Sequence, residues 1–122
     1  MIAEDDELNV QILRWALSRV AKEVIVARNG KEAVEKYLLN ADIHLILMDI
    51  NMPEMDGFEA ASQIRHHNQK VVIIAQTSLN SDFAREKAKT SGCNNFINKP
   101  VTRSVITGLV EKHFCDTHTA TQ

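Results

Sequence analysis

The residues able to do chemistry fall at the ends of short apolar runs. Glu4, Asp5 and Asp6 follow Met1-Ile2-Ala3, Asp49 ends Leu45-Ile46-Leu47-Met48, Thr77 and Ser78 follow the run from Lys70 to Gln76, and Lys99 precedes Pro100. An aspartate is normally expelled from a segment as apolar as the one before Asp49, which points to a paired charge, a metal ligand or a reactive carboxylate. The plain alternative is that Asp49 caps the turn into the next helix. Clustered carboxylates stay ionised together only when a cation compensates them, and hard oxygen donors with room for water suit Mg2+. Beside such a cation, a free oxygen of Asp49 could attack an electrophilic phosphorus to give an acyl phosphate. Lys99 offers the resulting phosphoryl group a point charge and Thr77 a hydrogen bond. Taken singly, a lysine before a proline is usually a solvated surface group and a threonine at a strand end usually caps a turn. Only a shared location gives them a function.

Such sharing requires a particular set of elements. Strands are expected at Met1–Ala3, Val24–Ala27, His44–Asp49, Lys70–Gln76 and Asn94–Asn98, each a short run suited to a buried parallel strand. Helical spacing predicts helices from Glu7 to about Val20 with Asp6 as N-cap, Lys31 to Asn40 behind Asn29, Gly57 to His66, a thin one through Phe83 and Ala88 capped by Asn80 or Ser81 and ended by Gly92, and Val101 to Phe114. Five alternations of strand and helix give an α/β chain with a doubly wound parallel sheet. Its ligand site lies at the carboxyl ends of the strands, where strand order reverses. Leu8, Ile12 and Trp15 form a second apolar stripe on the first helix, directed away from the core-facing Leu13, Ala16 and Leu17.

With 122 residues, 44% of them hydrophobic, 25% charged, and a net charge of −2, the chain fits one folded domain without bulk affinity for nucleic acid or membranes. Residues 1–114 form the expected domain and 115–122 a frayed tail. Cys93 and Cys115 have no metal or CxxC spacing, as expected of reduced thiols in a cytoplasmic protein. No apolar run reaches the roughly 20 residues of a membrane helix. The adjacent His66 and His67 cannot face one metal from a helix.

The joint pattern of Glu4-Asp5, Asp49 with Met52-Pro53 and Asp56-Gly57, Thr77-Ser78, and Lys99-Pro100 resembles the receiver domain of two-component response regulators over residues 1–114. The resemblance implies a flavodoxin-like five-stranded sheet of order 2-1-3-4-5 with five helices. It implies Mg2+ held by Glu4, Asp5, Asp49 and the carbonyl of Asn51, phosphorylation at Asp49, a switch formed by Thr77 and Phe96, and phosphate binding by Lys99. It further implies phosphoryl transfer from a histidine kinase or histidine phosphotransfer domain docking on Leu8, Ile12 and Trp15, with Asn51 and Leu79 tuning hydrolysis, and it leaves open a phosphorylation-dependent dimer. Glu4-Asp5-Asp6-Glu7-Leu8-Asn9 resembles the start of receivers in hybrid histidine kinases. A stand-alone single-domain response regulator is the alternative, and an aspartyl-phosphate phosphatase a weaker one, since Asn51 replaces its second aspartate. The pattern departs from the family in a short first strand, in Phe96 for the usual tyrosine, and in Gln76 for the usual apolar residue before the switch threonine.

Overall fold

A computed structural model of the chain describes residues 1–78 and 81–114. The alternate cap Asn80, the rate-tuning Leu79 and the expected tail at 115–122 lie outside the described residues. Five strands, β1 (Ile2–Ala3), β2 (Val26–Ala27), β3 (Leu45–Asp49), β4 (Val72–Thr77) and β5 (Asn95–Asn98), alternate with five helices. These are α1 (Glu7–Leu17), α2 (Gly30–Leu39), α3 (Gly57–His67), α4 (Asp82–Thr90) and α5 (Arg103–Phe114). The strands form one parallel sheet of order β2-β1-β3-β4-β5, as the resemblance implies. Strand order reverses between β1 and β3, so Glu4 and Asp49 flank the switch point.

Strand alternation divides the core between the two faces. Ala3, Ala27, Ile46, Met48 and Ile73 pack against Ala33, Val34 and Tyr37 of α2 and Ala60, Ala61 and Ile64 of α3. On the other face, Ile2, Leu47, Val72 and Ile74 meet Val10, Leu13, Ala16 and Leu17 of α1 and Ile106 of α5. Helix α4 buries only Ala84 and Ala88, the latter in a small cluster with Ile50 and Ala75, which explains its weak apolar signal in the sequence.

Local hydrogen bonds decide where elements end. Asn29 caps α2 by accepting from the Glu32 N–H, Asp56 caps α3 by accepting from Glu59, and Ser81 caps α4 by accepting from Ala84. Asp6 occupies the N-cap position of α1, but its side chain makes no capping hydrogen bond, and its own N–H donates to Glu4 at 3.3 Å. Helix α1 stops at Leu17, short of Val20, because the Ser18 N–H and hydroxyl both turn to the Trp15 carbonyl. Helix α5 starts at Arg103 and not at Val101, where the Thr102 hydroxyl accepts from the Val105 N–H. Gly92 ends α4 with φ of 96°, in the region a glycine adopts freely.

The loop after β3 is pinned from two sides. The Gly57 N–H donates to the Ile50 carbonyl at 3.2 Å and the Gly30 N–H donates to the Met55 carbonyl at 3.1 Å. A Cβ on Gly57 would collide with the Asp49 carbonyl oxygen and come within 2.8 Å of the Ile50 Cα, backbone that cannot swing aside. Gly57→Ala is therefore expected to lose about 3 kcal/mol of stability through overpacking, read from urea unfolding. A change under ~0.5 kcal/mol would mean that the loop yields easily.

A carboxylate and ammonium centre at the sheet edge

Four strand ends deliver side chains to one edge because a parallel sheet sends every strand's carboxyl end the same way. Glu4 follows β1 and is fully buried. Asp49 closes β3 with 2% exposure. Lys99 leaves β5, and its Nζ lies 2.9 Å from Glu4 Oε1 and 3.2 Å from Asp49 Oδ2. One ammonium thus bridges two buried carboxylates that belong to adjacent strands. The peptide bond between Lys99 and Pro100 is cis.

Further donors complete the centre. Asn9, in the first turns of α1, donates its Nδ2 to Glu4 Oε1 at 2.8 Å, and the Asn51 N–H donates to Asp49 Oδ1 at 3.1 Å. Burial, then the neighbouring Glu4 carboxylate, push the Asp49 carboxyl up to about 7, against the pull of the Asn51 N–H and Lys99. Burial also acts to raise Glu4, but hydrogen bonds from Asp49, Lys99 and Asn9 outweigh it and hold its pKa below the usual value. Of the pair, Asp49 is the carboxyl that takes up a proton more readily and Glu4 the one that stays ionised to lower pH. Burial opposes the charge on Lys99, yet its two carboxylate partners raise its pKa.

Asp5 lies beside this pair on the exposed side, and ligand oxygens of Glu4, Asp5 and Asp49 all fall within 4.8 Å of one another. Three hard anionic oxygens with one open side match a small divalent cation that retains water. Asn51 sits two residues beyond Asp49 and is exposed. Thr77 is buried at the end of β4, and its carbonyl accepts from the Lys99 N–H at 2.8 Å. By strand alternation it belongs to the face of Ile73 and Ala75, opposite to that of Asp49. Phe96 shares the Thr77 side: it packs on the cluster of Ile50, Ala75 and Ala88, with the Arg85 guanidinium 5.2 Å from its ring centre.

Leu8, Ile12 and Trp15 are 66%, 40% and 57% exposed, so the expected stripe faces solvent. The Arg103 guanidinium from α5 stacks over the Trp15 ring at 4.4 Å, which holds the indole without covering it. Sequence reading missed Asn9, whose signal is only its place five residues after Glu4 in the first turns of the helix. Cys93 is half-buried and its thiol is pushed up to about 11 by burial, in keeping with an unreactive thiol.

The sequence profile of the response regulator receiver domain matches residues 1–111. Hybrid signal transduction histidine kinase B of Dictyostelium discoideum is 35% identical over 93% of this chain, which spans 6% of that protein. Two-component response regulator 24 of Arabidopsis thaliana is 30% identical, with 92% of this chain and 81% of that protein covered. The receiver domain of Saccharomyces cerevisiae Ssk1, solved in complex with the histidine phosphotransfer signaling protein Ypd1, superposes with a TM-score of 0.86 at 33% identity, covering 95% of this chain and 88% of the matched one. Five parallel strands in the order β2-β1-β3-β4-β5, the bridged acidic edge and these relatives agree, and the chain belongs to the family of response regulator receiver domains.

Proposed function

We propose that residues 1–114 form a phosphoacceptor domain of a two-component phosphorelay, with Asp49 accepting a phosphoryl group from a phosphohistidine. The observation that supports this most is the Lys99 ammonium bridging buried Glu4 and Asp49 at the switch point of the sheet. Glu4, Asp5, Asp49 and the Asn51 carbonyl would hold Mg2+, which when bound offsets the carboxylate charge and gives a phosphoryl oxygen a ligand position. An Asp49 oxygen attacks phosphorus in line. The O–P bond forms as the N–P bond breaks, and the imidazole nitrogen leaves with the bonding electron pair. Lys99 steadies the phosphoryl oxygens, and the Thr77 hydroxyl, at the end of β4, moves toward them from the other face of the sheet. Thr77 and Phe96 lie on the α4 side of β4 and β5, so engagement of Thr77 draws the ring inward and alters the surface of α4, β5 and α5. Water later hydrolyses the acyl phosphate, at a rate tuned by Asn51 and Leu79.

The donor is a histidine phosphotransfer domain or histidine kinase docking on Leu8, Ile12 and Trp15, an apolar row suited to helix-on-helix contact. The Ssk1 receiver seated on Ypd1 supports a partner of this type. Trp15→Ala is expected to slow transfer from such a donor at least tenfold, since aromatic anchors dominate interfaces. Labelling by acetyl phosphate is expected to stay unchanged, and equal slowing of both would mean that Trp15 maintains the fold. The relatives among hybrid kinases support an origin in such a protein, in the cytoplasm, although the coverage of the Arabidopsis regulator favours a stand-alone regulator as second reading. No helix among the described residues is long and apolar enough to cross a membrane.

Mg2+ affinity is expected to rise with pH up to about 7 and then level off, because the proton on Asp49 must leave before a cation binds. Below that pH it should fall about tenfold per unit, measured as the Mg2+-induced change in Trp15 fluorescence or melting temperature. Affinity independent of pH between mildly acid and mildly alkaline solution would remove Asp49 from the ligand set. The test of the function itself is incubation with acetyl phosphate and Mg2+ followed by mass spectrometry. One phosphoryl mass is expected, lost when a chelator replaces Mg2+; no gain would overturn the phosphoacceptor reading.

A further inference from the structure

Gln76 is a polar side chain at the functional edge that the chemistry above does not use. It is 1% exposed, and neither its Oε1 nor its Nε2 has a hydrogen-bond partner among the described residues. Burying a carboxamide without partners is costly, whereas a methionine of similar length would fit the same core freely. Gln76 pairs in register with Asp49 on β3 and with Ile97 on β5. Val72 and Ile74, four and two residues before it, belong to the same core face as Leu47, two before Asp49. Gln76 and Asp49 therefore share the α1 and α5 face on neighbouring strands, about 4.8 Å apart.

The order of the strands gives this placement its meaning. Lys99 emerges from β5, yet its ammonium reaches Glu4 at the end of β1, so its side chain crosses the line of β4 and β3. Gln76 stands on β4, between the root of Lys99 and the carboxylates that its tip now holds. A cation drawn to Glu4 and Asp49 repels the ammonium, and withdrawal toward β5 carries it back over β4. There the Gln76 oxygen is a neutral acceptor. It is strong enough to orient an N–H and too weak to hold the lysine away from a phosphoryl group.

We propose that Gln76 is a positioning residue for Lys99, accepting a hydrogen bond from its ammonium once Glu4 and Asp49 turn to a divalent cation, and so aiming the remaining N–H groups at the phosphoryl oxygens. The inference rests on the phosphoacceptor reading, but its first readout needs only the metal. Gln76→Met, Lys99→Met and the double variant form a cycle with the unsubstituted protein. In a chelator Gln76→Met melts higher than the unsubstituted protein, because it removes two orphaned polar atoms. With Mg2+ its gain in melting temperature is expected to be about half that of the unsubstituted protein, and its labelling by acetyl phosphate about fivefold slower through the lost orientation of Lys99.

In the Lys99→Met background the same substitution is expected to change neither quantity, which a purely structural role for Gln76 would not produce. Gln76→Leu, run in parallel, should repeat the pattern. Equal effects in both backgrounds, or an unchanged Mg2+ response in Gln76→Met, overturn the inference. If the unsubstituted protein takes no phosphoryl group while the Mg2+ cycle is coupled, the phosphoacceptor reading falls and the Gln76–Lys99 pairing stands. If it is labelled and the cycle is additive, only the pairing falls.

Discussion

Asp49→Asn is expected to take up no phosphoryl group from acetyl phosphate and Mg2+, where the unsubstituted protein gains one. An amide oxygen is a poor nucleophile toward phosphorus and carries no charge for a cation, so both the attacking atom and a ligand are lost together. The substitution should also change the pH dependence of stability without metal. The Asp49 carboxyl is raised from 3.8 to about 7, first by burial and then by Glu4, so the folded protein holds this proton more tightly than the unfolded chain does. Its contribution is complete below about pH 4 and disappears as pH climbs through about 7. Asparagine, neutral throughout, should flatten that decline. Glu4 acts in a separate window: its pKa is lowered from 4.5, so its contribution is present above 4.5 and lost as pH falls below that value. Labelling that survives in Asp49→Asn would place the phosphoacceptor on another residue.

Lys99→Met is expected to move two measurements in opposite directions. Without its ammonium, Glu4 and Asp49 remain buried beside each other with Asn9, the Asp6 N–H and the Asn51 N–H as their remaining donors among the described residues. Removing one partner of a buried ionic cluster costs about 3 kcal/mol, so the metal-free protein should melt about 10 °C lower. Partial protonation of Asp49 reduces this loss below pH 7. Mg2+ affinity, however, should increase about tenfold, since a competing positive charge no longer occupies the carboxylates. Labelling by acetyl phosphate should nevertheless fall about 100-fold, the usual consequence of removing a charge that stabilises transferring oxygens. Titration of metal, calorimetry and labelling on one preparation separate the three effects. Weaker Mg2+ binding in Lys99→Met would show that the lysine organises the cation site and does not compete for it.

The architecture was legible because β1, β3 and β4 are buried along nearly their whole length and read as short apolar runs, while the helices carry apolar residues at helical spacing. Short elements blurred at their ends. Val24 and Ile25 read as strand, yet only Val26 and Ala27 are assigned to β2, although the Ile25 carbonyl still accepts from the Ile2 N–H. Asp6 has the type and place of an N-cap, but its N–H is drawn to Glu4 and its carboxylate caps nothing.

By itself the sequence determined the fold class and the edge at which Glu4, Asp5, Asp49, Thr77 and Lys99 gather, because alternating strands and helices make a parallel sheet, whose strands all end on one side. It also marked Leu8, Ile12 and Trp15 as a stripe outside the core. Only the tertiary structure decided how these groups divide the work of neutralising one another. Glu4 and Asp5 are neighbours in the chain, but Glu4 is buried and bridged by Lys99 while Asp5 stays in solvent. Register between β3 and β4 put Gln76 beside Asp49, and lateral strand order laid Lys99 across both. Burial, register and reach across strands arise from contacts between residues far apart in the chain, so no local pattern encodes them.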